Sequence, residues 1–427
     1  MKNFSSFFSS RAPAEVRPVQ PERGPGGRAL VPYCAFHFLD DGFTDSIYLL
    51  LPFLAIELHL SFSEVGLLKG VFSGCMGLFQ LPLSLLGEKV GELTVIAGGI
   101  FGLAGGFLFL SLASTFPFVL FTLAFAKGSN AGQHGLSSSI LSKVFERSGR
   151  RAAMGTYNFA GDLGKVCIPF LLAVLINFFG WRTAVFFLSI GGFGAGGVLV
   201  TLAWRMHTRS SVPRAETKKV GETSHRWGIR DKRGFSALLT IGILDIATRM
   251  VLLTFLPFLL LNKGWEATRV GFALTLLFAG GAAGKFSCGI LAEWFGIIPM
   301  VLVTEALTAA GVLALLWASP STVWFLLPLV GVVLNGTSSV LYATVAEIIT
   351  PEGRSRGYGL YYAVTLGSGA VAPMMYGWVT DSLGLSFTLV AVALMALLTL
   401  PLSRFLAPSV ASSASRTPEK KNGDGIE

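Results

Sequence analysis

Long apolar stretches separated by short polar segments dominate this chain. Each stretch is long enough to cross a hydrocarbon core of about 30 Å as a helix, because a helix rises about 1.5 Å per residue. The pattern predicts twelve such helices in two sets of six, over residues 31–58, 62–87, 93–113, 116–143, 152–179, 182–204, 236–262, 267–292, 298–318, 321–349, 357–380 and 384–406. The predicted fold class is therefore an all-α integral membrane protein.

The second set of helices repeats the first about 205 residues later. Ser-Leu-Leu-Gly-Glu-Lys-Val-Gly at 84–91 aligns with Gly-Ile-Leu-Ala-Glu-Trp-Phe-Gly at 289–296, and the same offset places Asp40 on Asp245. We therefore predict two six-helix bundles related by a pseudo-two-fold axis along the membrane normal. Secondary transporters have this architecture and bind solute between the halves.

Charged segments divide the chain into five parts. Roughly 25 Lys and Arg lie in the tails, the central linker or loops of the same side, and about three lie on the other side. The positive-inside rule places the side that is richer in Lys and Arg in the cytoplasm. We predict a multi-pass inner-membrane protein with both termini cytoplasmic. The predicted parts are a disordered cytoplasmic extension (1–30), an N-terminal bundle (31–206), a basic cytoplasmic linker (207–235), a C-terminal bundle (236–406) and a cytoplasmic tail (407–427).

Composition supports a membrane protein and argues against other classes. Hydrophobic residues make up 52% of the chain and charged residues 13%, whereas soluble domains carry about 25% charged residues. The net charge is +9, and the basic residues lie mainly between the apolar stretches. Membrane topology explains them better than nucleic-acid binding does. The four cysteines form no C-x-x-C pair, and P-loop and common hydrolase motifs are absent. We predict a monomer without metal or cofactor, and not an enzyme.

Carboxylates deep inside the predicted spans are the strongest functional signal. A charge costs about 2.5–3.5 kcal/mol at the bilayer centre unless it is paired or hydrated. Asp41 and Asp45 lie four residues apart on one helix face, and two like charges there require a wet cavity or a bound proton. The candidate proton-coupling residues are Asp40, Asp41, Asp45, Asp162 and Asp245.

Basic residues at similar depth indicate the charge of the solute. They favour a small anionic or zwitterionic organic solute, and the candidate solute-binding residues are Lys127, Lys165, Arg249, Lys285, Tyr48, Tyr157 and Tyr361. The alternative is that Asp245 with Arg249, and Asp162 with Lys165, neutralise one another along single helices. His37 and His134 are each open to two interpretations, an interfacial position or a proton relay.

The repeated segments resemble a known signature. Residues 289–296 are close to the Gly-x-Leu-Ala-Asp-Arg-x-Gly loop that follows the second helix of each half in the major facilitator superfamily, with Glu for Asp and Trp for Arg. The copy at 84–91 keeps Glu88, Lys89 and Gly91. Together with two sets of six helices and a long basic central loop, the resemblance spans the whole chain. It implies the major facilitator fold and rocker-switch alternating access.

Shorter stretches resemble one subgroup of that superfamily. Residues 37–41, 59–68 and 151–169 are similar to fosmidomycin-resistance-type exporters, although Asp162 stands where an uncharged polar residue is expected. The Gly-Pro-x-x-Gly-Gly ending of drug–proton antiporters is absent after Pro169, which leaves the direction open. We predict proton-coupled export, with proton-coupled uptake or a membrane scaffold without transport as alternatives, and a membrane-embedded transferase as a remoter one.

The resemblance also implies a role for the repeated glutamates. A carboxylate at a helix end accepts hydrogen bonds from free N–H groups at a neighbouring helix N-terminus and pairs with nearby cations. We therefore expect Glu88 and Glu293 to latch the bundles together on the cytoplasmic side; the alternative is that they only fix topology. The other predicted gate residues are Lys89, Arg150, Arg151, Arg354 and Arg356, with Arg147 as a further partner.

Overall fold

The computed structural model describes residues 25–145, 150–207, 229–350 and 354–414. Those residues are almost entirely helical. The helices are α1 (Pro25–Leu58), α2 (Phe62–Val90), α3 (Glu92–Leu112), α4 (Phe116–Asn130), α5 (Gln133–Val144), α6 (Arg150–His207), α7 (Lys232–Asn262), α8 (Ala267–Phe295), α9 (Ile297–Trp317), α10 (Pro320–Ile348), α11 (Arg354–Leu383) and α12 (Leu385–Ala414).

The helix bounds follow the predicted spans with two differences. The fourth predicted span is divided between α4 and α5, and the fifth and sixth are joined in α6, which bends at Gly180 where φ is 75°. Within the described ranges, eight helices are long and apolar enough to cross a membrane. The remaining helices, α1, α4, α5 and α11, are shorter or more polar, so twelve crossings stays a prediction.

Three domain boundaries differ from those predicted by the apolar pattern. Helix α1 begins at Pro25 inside the predicted extension, α7 begins at Lys232 inside the predicted linker, and α12 ends at Ala414 inside the predicted tail. A helix satisfies its own backbone hydrogen bonds beyond the hydrocarbon core, so polar residues outside the membrane can continue it. Residues 1–24 of the predicted extension lie outside the described residues.

Turn chemistry explains where the helices stop. The side chain of Ser61 accepts from the backbone N–H of Glu64, whose carboxylate accepts from the backbone N–H of Ser61, forming a capping box that starts α2. Gly91 and Gly296 have φ values of 101° and 91°, a backbone region that favours glycine. These glycines occupy equivalent turns, α2 to α3 and α8 to α9, so the repeat is visible in the fold.

Among the described helices, the two halves pack closely against each other at one end. We call it the turn end, where α1 passes into α2, and call the other the linker end, where α6 ends and α7 begins. At the turn end Gly66 lies against the backbone carbonyl of Pro373, and the ring of Phe62 packs 5.3 Å from that of Phe258. Nearer the linker end, a Cβ added at Gly77 would meet nothing within 4 Å.

Packing in the second half agrees with this separation. A distinct hydrophobic core at the linker end, which includes Phe235, Leu341 and Ile349, contains residues of the second half only. The larger core extends through both halves and includes Phe72 and Phe255. The halves therefore diverge toward the linker end, which leaves space between them at mid-length.

Candidate functional site

A cavity of about 110 Å³ lies between the two halves. Helices α1 and α6 of the first half and α7, α8 and α10 of the second half form its wall. The lining residues are Asp45, Tyr48, Asp162, Lys165, Arg249, Met250, Leu253, Phe278, Gly281, Ala282, Lys285 and Asn335. Six of these are candidates predicted from the sequence: Asp45, Tyr48, Asp162, Lys165, Arg249 and Lys285.

Several other predicted residues are buried away from the cavity lining. Lys127, Tyr157 and Tyr361 are each only 1% exposed and none of them lines the cavity, so their assignment to solute binding stays a prediction. Their depth along the helices was central, but their side chains face neighbouring helices. The predicted carboxylates outside the lining are Asp40, Asp41 and Asp245, all of them buried.

Arg249 presents its guanidinium group at the cavity. Its Nη1 donates to Asn335 Oδ1 at 3.3 Å and to Ser338 Oγ at 3.2 Å, while its buried Nε has no hydrogen-bond partner among the described residues. Ser338 in turn donates to Asp245 at 2.8 Å. No direct ion pair joins Arg249 to Asp245 in the part of the chain that the structure describes. Their contact through Ser338 therefore replaces the pairing expected along one helix.

One ion pair crosses between the halves at the cavity. Lys285 Nζ on α8 lies 2.5 Å from Asp162 Oδ1 on α6. Lys165 Nζ lies 3.7 Å from the same oxygen and 3.1 Å from Asp41 Oδ2. Asp162 therefore does pair with Lys165, as the sequence allowed, but its shorter contact is with the opposite half.

Asp40 lies at the centre of a second network, within the first half. This carboxylate is fully buried, and its Oδ1 accepts from Lys127 Nζ at 2.9 Å and from Asn130 Nδ2 at 2.5 Å. Asp245 is likewise buried and binds the corresponding helix of its half, α10. Asn130 and Asn335 stand 205 positions apart, so both halves place an asparagine and a carboxylate at equivalent helices.

Two histidines join this network. His37 Nδ1 lies 2.8 Å from the Tyr157 carbonyl oxygen, and His37 Nε2 lies 3.2 Å from Asp41 Oδ2. His134 Nε2 lies 3.1 Å from Asp40 Oδ2 and 3.6 Å from Asp41 Oδ1. The sequence left both histidines open to two interpretations; the structure places them beside carboxylates.

The same group has metal-binding atoms close together. The ligand atoms of His37, Asp41 and His134 lie within 4.8 Å of one another. However, the ammonium groups of Lys127 and Lys165 lie 2.9 Å and 3.1 Å from the neighbouring carboxylates, and they would repel a divalent cation. We therefore assign no metal ligands here and treat the cluster as an ion-pair network.

The predicted gate residues lie at the linker end. Glu88, Lys89 and Glu293 are exposed, and neither glutamate makes a hydrogen bond or ion pair with any side chain that the structure describes. Arg147 and the side chains of the other predicted arginines, Arg150, Arg151, Arg354 and Arg356, lie outside the described residues. The latch at this end stays a prediction.

A carboxylate that the sequence analysis missed closes the turn end. Asp381 near the end of α11 accepts from the backbone N–H groups of Phe62 and Ser63, each at 2.8 Å, and from the Ser63 hydroxyl. Those N–H groups begin α2, so Asp381 caps a helix of the other half. The sequence does place Asp381 just before the turn at Gly384, but its partner Ser63 is 318 residues away.

A two-part helical membrane fold with a charged cavity between its halves defines a secondary transporter. A family model described as Major Facilitator Superfamily matches residues 34–344 and again residues 238–424. The chain therefore belongs to the major facilitator superfamily, and it is a multi-pass membrane transporter.

Relatives and solved structures agree with this assignment. The chain is 23% identical to an uncharacterized MFS-type transporter, YfnC, of Bacillus subtilis, over 87% of this chain and 91% of that one. It is also 23% identical to a probable L-galactonate transporter of Escherichia coli, over 76% and 77% of the two chains. These relatives are transporters, which agrees with the expectation that the chain is not an enzyme. None of the proteins named here is described as a fosmidomycin-resistance exporter, so that narrower resemblance stays a prediction.

The fold is similar to those of solved transporters. A bacterial homologue of the human lysosomal transporter Spinster, in an inward-facing and occupied conformation, matches with a TM-score of 0.76 at 15% identity, over 90% of this chain and 97% of that one. The nucleoside transporter NupG matches with a TM-score of 0.70 at 12% identity, over 90% and 99%. At these identities the likeness concerns the fold alone.

Proposed function

We propose that this transporter moves a small organic solute with a carboxylate group, an anion or a zwitterion, through the cavity between its halves. The proposal rests on a cation and a carboxylate that line the same cavity without an ion-pair partner among the described residues. Arg249 has no direct carboxylate partner, and Asp45 makes no hydrogen bond or ion pair within the described ranges. A solute carboxylate fits the guanidinium fork, and a solute ammonium or hydroxyl group fits Asp45.

The charge balance of the cavity favours the same class of solute. Its lining holds three cations, Lys165, Arg249 and Lys285, against the two carboxylates Asp45 and Asp162. A sugar acid such as L-galactonate combines one carboxylate with several hydroxyl groups, and the Escherichia coli relative described as its probable transporter supports this choice of first probe.

Orientation and direction complete the proposal. The excess of Lys and Arg at the linker end indicates that this end is cytoplasmic, so the cavity opens toward the cytoplasm. In this proposal the protein is a monomer in the inner membrane. The exporter resemblance favours export driven by protons. The cavity charges favour symport of a proton with the anionic solute instead, because a bound proton and a bound anion stabilise one another in the same cavity. An exchanger must bind the proton and the solute at different times.

Ligand binding tests the solute class directly. We expect L-galactonate to raise the thermal unfolding temperature of detergent-purified protein, because a ligand at 100 times its Kd stabilises the folded state by about 2.7 kcal/mol. Galactose, which has the hydroxyl groups but no carboxylate, is the matched control. Amino acids and other aldonates extend the panel. Equal stabilisation by galactose and the acids would contradict recognition of a carboxylate.

The carboxylates at the two ends predict opposite shifts in conformation. Asp381→Asn weakens charged hydrogen bonds that close the turn end, each worth about 1.5–3 kcal/mol, so we expect the population open at that end to rise about tenfold or more. Glu293→Gln should shift the population toward opening at the linker end. Spin-label distances between α2 and α11 measure both shifts, and Asp381→Glu serves as the control that keeps the charge. An Asp381→Asn distribution identical to wild type would exclude the turn-end latch.

A further inference from the structure

Both ring nitrogens of His37 face hydrogen-bond acceptors. Nδ1 lies 2.8 Å from the carbonyl oxygen of Tyr157, and Nε2 lies 3.2 Å from a carboxylate oxygen of Asp41. A neutral imidazole has one N–H and one lone pair. It can therefore satisfy only one of these neighbours and must turn a lone pair toward the other. A second proton on the ring, or a proton on Asp41, removes this repulsion.

We propose that His37 and Asp41 share one bound proton, and that Lys165 transmits its presence to the Asp162–Lys285 bridge between the halves. The inference rests on the proposed function in one respect, that the transported solute is coupled to protons. It assigns the proton to a pair of residues deep in the first half, next to the cavity wall rather than in its lining.

The surroundings of the pair are built to enclose it. His37 and Asp41 are 5% and 7% exposed, and the Tyr157 ring stacks on the His37 ring at a centroid distance of 4.1 Å. Gly161 on α6 leaves the space that the pair occupies. A Cβ at that position would lie 2.5 Å from His37 Nε2 and 2.6 Å from Asp41 Oδ2.

Charged and titratable groups reach the pair from every helix packed around it. They are Asp40 and Asp45 of α1, Lys127 of α4, His134 of α5, and Tyr157, Asp162 and Lys165 of α6. Lys127 pairs with Asp40, so Asp41 is left to His37, His134 and Lys165. Because His37 adds a hydrogen bond to one oxygen that Lys165 also contacts, proton and ammonium compete for the same carboxylate.

That competition connects the proton to the boundary between the halves. Lys165 Nζ lies 3.1 Å from Asp41 Oδ2 and 3.7 Å from Asp162 Oδ1, and the latter oxygen contacts Lys285 Nζ at 2.5 Å. When the pair holds its proton, the negative charge on Asp41 is compensated and Lys165 is free to move toward Asp162. Lys285 then loses part of its partner and becomes available to an anionic solute. Loss of the proton draws Lys165 back and strengthens the bridge.

Histidine nitrogen NMR tests the shared proton without any solute. In protein labelled with ¹⁵N-histidine, the signal that disappears in His37→Gln identifies His37 among the five histidines. At slightly alkaline pH, we expect both His37 nitrogens of the wild-type protein to show bound or shared hydrogen, because both face acceptors. In Asp41→Asn we expect a neutral His37, because the amide can donate to Nε2.

Two glycines of the same helix provide a matched pair of variants. Gly161→Ala forces His37 and Asp41 apart, whereas Gly155→Ala meets nothing within 4 Å. We expect the shared-proton signature to be lost in the first variant and kept in the second. A neutral His37 ring in the wild-type protein, with hydrogen on only one of its nitrogens, would overturn the shared proton. A signature unchanged by both Asp41→Asn and Gly161→Ala would overturn the assignment to this pair.

The relay through Lys165 has its own measurement. Spin labels replace exposed Phe159 on α6 and Phe286 on α8 in a background without the four free cysteines. We expect the distance between the labels to lengthen on acidification in wild type and to stay constant in Lys165→Gln. A pH response that survives in Lys165→Gln would overturn the relay. Failure to find a transported solute would leave both the NMR and the distance results standing, so the two proposals fail separately.

Discussion

Lys127→Ala should destabilise the protein by about 3–5 kcal/mol, the cost of leaving one member of a buried ion pair without its partner. Asp40 is fully buried, and Lys127 is its cationic contact at 2.9 Å. The amide of Asn130 remains after the substitution, but it carries no charge. Thermal unfolding in detergent at neutral pH measures the loss.

A double variant separates this explanation from a general packing defect. Asp40→Asn with Lys127→Met removes both charges and keeps most of the side-chain volume, so we expect it to recover the larger part of the lost stability. A double variant as unstable as Lys127→Ala would contradict the ion-pair explanation. We also expect solute affinity to change little in the double variant, because Lys127 is outside the cavity lining.

The fold could be read from the sequence because membrane helices are specified by simple physical requirements. Long apolar helices with short polar turns follow from the need to satisfy the backbone inside lipid, and the 205-residue repeat predicts two similar halves. The superfamily assignment confirms the fold class. The division of the fourth span between α4 and α5 was not predictable, because the residues 131–132 between them break the helix without a proline or a charge.

The sequence predicted how deep each candidate side chain lies in the membrane, but not which way it points from its helix. Counting residues along a span locates a side chain near the midplane, yet rotation of the helix about its axis is set by packing against its neighbours. Lys165 and Lys285 therefore reach the cavity, whereas Lys127 at a similar depth turns toward Asp40. The pairing of Asp381 with the start of α2 depends on how two distant helices meet, which no local pattern records.

The histidines show the same limit for chemistry. A lone histidine near a helix start has no distinctive spacing, and only the structure shows that acceptors flank both ring nitrogens of His37. Gly161 makes room for this pair, but nothing in the sequence distinguishes it from a glycine that only lets two membrane helices approach. Its role follows only from the packing of α6 against α1.

Arg249→Gln should weaken binding of a carboxylate solute by about 30-fold to 1000-fold, that is by about 2–4 kcal/mol. Arg249 lines the cavity without a carboxylate partner among the described residues, so a bound carboxylate gains a charge-assisted hydrogen bond that glutamine cannot supply. Arg249→Lys should recover only part of the affinity, because an ammonium group lacks the planar fork that binds two oxygens at once. Calorimetric titration of L-galactonate into purified protein, or the shift in its thermal unfolding temperature, measures the loss of affinity.

Lys232→Gln is the matched control, because it removes one positive charge from the same helix at the exposed linker end. We expect this variant to bind the solute like wild type. Arg249→Gln also removes a neighbour of Asp245, so unfolding temperatures without solute must be compared, and Asp245→Asn in the same background restores the local charge balance. If the double variant regains stability but not affinity, Arg249 recognises the solute. Wild-type affinity in Arg249→Gln would instead move recognition to Lys285, the other cation that the second half contributes to the cavity.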